Sequence, residues 1–166
     1  PGSTILEDYF VEDGQRPDTV AMEFYRDPGL DWIVMMINNI KNLYSDWPMT
    51  KVVFEEYVNS KYDSVEGIHH YETVEQKYEG EVILPGGLEV GEAYRFITPE
   101  GTTLNAEDSR GPVTNYIYEL RKNDKKREIY VLRPAFVDEF IQIFNREMKF
   151  TPSTEYVSEN LKISRN

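Results

Sequence analysis

His69 and His70 are the chain's two histidines, and they stand side by side. Imidazoles can ligate a metal or carry a proton. On a strand, however, neighbouring side chains point to opposite faces, so this pair is not expected to share one ion. No Gly-x-Ser-x-Gly turn offers a serine to either histidine. Glu55 and Glu56 fall on the expected wet side of a helix, where solvated carboxylates are the norm. Pro85-Gly86-Gly87 and Gly101 lack the lysine or helix start that a phosphate-cradling loop needs. There is no Cys, which excludes disulfides, thiolate ligands and cysteine nucleophiles, and which fits a reducing cytosol. The sequence therefore predicts no catalytic residue, no metal and no cofactor. The chain reads as a non-enzyme.

Charge narrows the partners. The net charge is −12, unevenly spread. Residues 1–110 carry 22 acidic and 8 basic residues, whereas residues 111–166 carry 8 and 10. An acidic head repels phosphate backbones, so nucleic acid is not an expected partner. No apolar run approaches the roughly 20 residues of a membrane span, and no secretory pattern opens the chain. Twelve Tyr, eight Phe and two Trp are many for so polar a chain. Some rings must then lie near the surface, where Tyr and Trp suit protein contacts.

Local patterns give an α+β chain. "TILEDYFV" reads as a strand. Pro17 opens a helix with Val20, Ala21 and Phe24 along one side. Asp27 caps a second, begun by Pro28, with Leu30, Ile33, Val34 and Ile37 on one face and Asn38-Asn39 at its end. Pro48 pushes Trp47 away from helix, so Leu43–Met49 is expected to be extended. Thr50 caps a third helix, Lys51–Lys61, with Val53, Phe54, Tyr57 and Val58 turned inward. Residues 63–112 break into strand-like pieces rich in turn residues, with little core of their own. They suit an arm laid across another protein. "TNYIYELRKND" is open between strand and helix. "REIYVLRP" is a strand, and Pro134 opens a helix over Ala135–Met148 with a broad apolar stripe that includes Phe136, Val137, Phe140, Ile141 and Phe144.

The first domain resembles a LysM module. Tyr9 and Val11, Gly14, Asp18-Thr19-Val20 and Asn39-Ile40 carry that likeness. Plain LysM modules grip N-acetylglucosamine chains through loops that would here be Glu12–Asp18 and Asn39–Asp46. A likeness over nearly the whole chain is to the baseplate wedge protein of T-even-type contractile-tailed phages, the gene-fifty-three product family. It rests on Arg16-Pro17, Tyr25, Asp27-Pro28, Leu30, Trp32, Asn38 and Trp47, and on the strand-Pro-helix run at the end.

The resemblance implies a LysM-like head and an extended arm. With the local patterns this gives a LysM-like βααβ domain with its following helix over 1–62, an extended turn-rich arm over 63–112, a strand and amphipathic helix over 113–150, and a tail over 151–166 that lacks a usable period and is expected to be mobile or partner-ordered. It implies a structural subunit that joins neighbouring wedges around a central hub, in several copies of a six-fold assembly. Its partners would be other wedge and hub proteins, and its place the virion tail, after the host cytoplasm. Trp32, Tyr44, Trp47, Phe136 and Phe140 are the expected interface or core anchors. The competing reading is a LysM-type module that binds peptidoglycan.

Overall fold

The computed structural model describes residues 5–149, 156–158 and 161–162, the last two stretches as backbone. It is a mixed α+β protein. Strand β1, Leu6–Phe10, leads into α1, Pro17–Tyr25, with Pro17 in the first turn, where its missing N–H costs nothing. Asp27 accepts from Gly29 N and starts a 3-10 turn, Pro28–Leu30, that runs into α2, Asp31–Ile37. Next come α3, Leu43–Asp46, and α4, Lys51–Lys61. Strands β2 (Ile68–Thr73), β3 (Gln76–Tyr78), β4 (Glu81–Leu84) and β5 (Glu89–Val90) follow. Then come α5 (Ala106–Ser109), β6 (Arg110–Thr114), α6 (Asn115–Lys125), β7 (Glu128–Leu132) and α7 (Val137–Glu147). Strands β8 (Tyr156–Ser158) and β9 (Leu161–Lys162) pair antiparallel; the other residues of the expected 151–166 tail lie outside the described ones.

Two local expectations change and one open reading is settled. Leu43–Met49 is not extended throughout. Asn42 caps a helical turn by accepting from Tyr44 N, and Asp46 Oδ2 takes the N–H groups of Lys41 and Asn42 at 3.0 and 2.9 Å. The proline effect reaches one residue back: Trp47 is held extended, at φ −83° and ψ 149°. The ambiguous "TNYIYELRKND" is helix, because Thr114 caps it through Ile117 N. On α4, Phe54 and Val58 are buried four residues apart, while Val53 lies a step round the helix and is 51% exposed.

The strand that local order places at Leu43–Met49 comes instead from far along the chain. β1 pairs with β7. Arg133 N donates to Ile5 O at 3.0 Å and Val11 N to Arg127 O at 2.9 Å, which sets an antiparallel register.

The chain divides into two compact units. Among the described residues, one holds 5–8, 16–39 and those from 130 onward; the other holds 9–15 and 40–129. In the first, Ile33, Leu132 and Val137 form a buried cluster against which Leu6, Tyr25, Leu30, Trp32, Ile37, Phe136, Phe140 and Ile141 pack. Each fully buried aliphatic side chain of this kind contributes about 1.5–3 kcal/mol.

In the second unit, β5, β2 and β6 form a three-stranded antiparallel sheet, and β3 and β4 form a hairpin. Glu79 and Gly80, both at positive φ, make the hairpin's two-residue turn. The turn-rich middle segment has buried residues of its own, Thr73 on β2 and Ser109 at the end of α5, and Val113 of β6, next to it in sequence, is buried too. Phe54 of α4 meets Tyr116 of α6 edge-on, with ring centroids 5.5 Å apart.

Candidate protein-contact sites

In the unit built on α1, α2 and α7, the apolar positions of α2 are more than one short helix can bury alone. Ile33 and Val34 are fully buried, and Trp32 sits half-buried beside them. Its indole meets Phe140 and Phe144 of α7, at centroid distances of 6.0 and 4.7 Å. Met36 on α2, Ile143 on α7 and Met148 just past its end remain exposed. Of the α7 stripe only Val137 is buried, and Phe136 packs half-buried on the core cluster. Phe24, Tyr25, Leu30, Pro134, Val137 and Ile141 line a hollow of about 450 Å³, with Arg26, Asp27 and Asp138 among its walls.

In the other unit, Trp47 and Tyr44 part company. Trp47 is 6% exposed, and its Nε1 donates to Gln15 O at 2.8 Å. Tyr44 is 93% exposed, so it adds almost nothing to the packing of its own fold. Yet the turn that carries it is tightly braced. Besides the Asn42 and Asp46 bonds, Ser45 Oγ donates to Asp46 Oδ1 at 2.7 Å, and Lys126 Nζ donates to Ser45 O at 2.6 Å. These backbone and hydroxyl bonds hold the Asp46 carboxyl below the usual carboxylate range.

Sequence reasoning missed the polar clamps. Asn123 accepts from Met49 N at 2.7 Å and donates to Met49 O at 3.1 Å. Arg127, 9% exposed, donates to Val11 O, to Met49 O and to Asp13 Oδ1. Glu119, 4% exposed, accepts from Lys61 Nζ and Tyr62 OH, each at 2.8 Å. Burial alone would raise its pKa, but those two hydrogen bonds, together with the nearby charges of Lys122 and Lys61, outweigh it and hold the carboxyl below its ordinary value. Glu119 and Asn123 sit on α6, in the stretch read as ambiguous, and Arg127 stands just after it, at the start of the run read as a strand. Their one sequence signal is the polar face that helical spacing would give Glu119, Asn123 and Arg127.

The two histidines do not turn to opposite faces. Their rings meet, with Nδ1 atoms 2.8 Å apart. Neither ring is hydrogen-bonded to a Ser or Thr hydroxyl among the described residues, so no nucleophile–base pair forms there. Among the described residues no three His, Cys, Asp or Glu side chains gather to hold a metal ion. No described helix is long and apolar enough to cross a membrane.

A half-exposed aromatic cluster and a projecting tyrosine on a braced turn are candidate surfaces for protein contact. The family model of base plate wedge protein 53 matches residues 2–85, and the chain belongs to that family. This gives it a structural role in the baseplate of a phage tail, as part of the virion, among other baseplate components. No curated protein matches the chain.

Proposed function

We propose that this chain joins neighbouring wedges of a contractile-tail baseplate around the central hub, in several copies of a six-fold assembly, without catalysis of its own. It would act in the virion after synthesis in the host cytoplasm. Tyr44 carries the reading: it is 93% exposed on a turn fixed by side-chain hydrogen bonds. A turn whose backbone is already held in place loses little backbone freedom on docking, and buried Tyr and Trp side chains dominate contact energy, at about 2 kcal/mol or more each. The rim of Trp32 and Phe140, with Met36 and Ile143 beside it, supplies a second contact face. Trp47 and Phe136 serve the protein's own packing and orient the contact elements.

Copurification with other wedge proteins tests this. The wild-type chain is expected to enter a wedge complex, and Tyr44→Ala to weaken that entry with no loss of folded structure. A chain that stays monomeric beside every wedge and hub protein would sink the proposal. Retention on peptidoglycan or chitin, in place of wedge binding, would favour the glycan-binding alternative.

A further inference from the structure

Strand alternation alone would separate the side chains of His69 and His70. The pairing of β2 with β6 slips between Ile68 and His70, and a bulge of this kind re-aims a side chain. Both rings are then held from behind. His69 stacks on Tyr118, with centroids 3.7 Å apart and planes 14° from parallel. His70 Nε2 lies 3.1 Å from Glu72 Oε1. Arg121 Nη1 in turn donates to both oxygens of Glu72, at 2.6 and 2.8 Å. A carboxylate that accepts from His70 Nε2–H leaves Nδ1 with a free lone pair. That tautomer is the one a metal ligand needs, and the carboxylate behind it is the usual support of a metal-bound imidazole.

We propose that His69 Nδ1 and His70 Nδ1 together chelate one divalent transition cation of the square-planar or tetragonal class, Cu²⁺ foremost. Two nitrogens about 2.0 Å from one ion and at right angles to each other lie about 2.8 Å apart. The observed Nδ1 separation is that distance, 2.8 Å. A tetrahedral ion would need the nitrogens about 3.3 Å apart, which disfavours Zn²⁺. Square-planar and tetragonal sites suit Cu²⁺ and Ni²⁺, and of the two Cu²⁺ binds a given nitrogen site more tightly. His69 is exposed, so the ion enters from solvent, and water completes its coordination. Without the ion, one ring's Nδ1–H bonds the other ring's Nδ1. The ion takes the place of that proton, which moves to the same ring's Nε2, so both rings bind as neutral imidazoles.

Titration of the full chain with CuSO₄, followed by calorimetry and electron paramagnetic resonance, decides the matter. The expected result is one saturable site per chain whose spectrum shows two equatorial nitrogens. His69→Ala and His70→Ala should each weaken binding about tenfold or more. Glu72→Gln, which keeps the side-chain shape, should weaken it by about 10- to 100-fold, as loss of a supporting partner does. Circular dichroism identifies any variant that fails to fold. Equal affinity in the double histidine variant would mean an adventitious ion only and would overturn the assignment. So would a wild-type chain without saturable binding, or a spectrum without two nitrogen ligands.

Discussion

The carboxamide of Asn38 makes both backbone hydrogen bonds of Tyr130, ninety-two residues away: Nδ2 donates to Tyr130 O and Tyr130 N donates to Oδ1, each at 2.8 Å. Asn38 thereby stands where a neighbouring strand would lie along β7. Tyr25 OH does the same for the next outward-facing amide, accepting from Leu132 N at 3.0 Å. Together they block one edge of β7, a place where strands otherwise recruit unwanted partners. Asn38→Ala leaves both Tyr130 groups to water and also removes the bond from Nδ2 to Val34 O at the end of α2. The expected loss is about 1–2 kcal/mol, read as a lower urea midpoint with an unchanged slope.

Trp47 offers a sharper division between packing and hydrogen bonding. Trp47→Phe keeps most of the buried ring but orphans Gln15 O, for an expected loss of about 1–2 kcal/mol. Trp47→Ala adds a cavity and should cost about 3–5 kcal/mol. Equal melting temperatures for the two variants would mean that the Nε1 bond, not the ring, supplies the stability.

Glu119 should make stability depend on pH. Its pKa is depressed in the folded chain, so its contribution is present above the unfolded carboxyl pKa, about 4.3, and fades as pH falls through the folded value. Lys61→Met removes the main partner and leaves a buried carboxylate short of donors. Lys61 is 39% exposed, so the cost is discounted to about 1–2 kcal/mol at pH 7. That cost should be smaller at pH 3 than at pH 7, because proton uptake by Glu119 removes the interaction as pH falls toward its folded value. Denaturant unfolding at the two pH values measures it, and a cost that does not change with pH would contradict the assignment.

Tyr44 and Trp32 should separate assembly from folding. Tyr44→Ala is expected to shift unfolding by less than about 0.5 kcal/mol, as surface substitutions do, while weakening wedge association. Trp32→Ala should lower both, because its ring packs on Phe140 and Phe144. Thermal melts run beside copurification check the pair.

Much of the local structure was legible along the chain. Thr50 and Asp27 cap the helices expected of them, Pro17 and Pro134 stand at helical starts, and Val20, Ala21, Ile33 and Val34 are buried as their spacing indicates. Capping, proline geometry and helical period act over a few residues, so neighbours in sequence suffice to set them. The family likeness was legible for the same reason, since its signature is a run of such local signals.

Tertiary structure alone decided the rest. Nothing near Leu6–Phe10 announces that its partner is Glu128–Leu132, because pairing across that distance depends on how the intervening chain folds back. Nor does spacing reveal that Asn38, Asn123 and Arg127 would satisfy backbone groups far away, or that a slipped register would bring His69 and His70 face to face. Hydrogen bonds of this kind are set by where two surfaces meet, and a one-dimensional pattern records periodicity, not proximity.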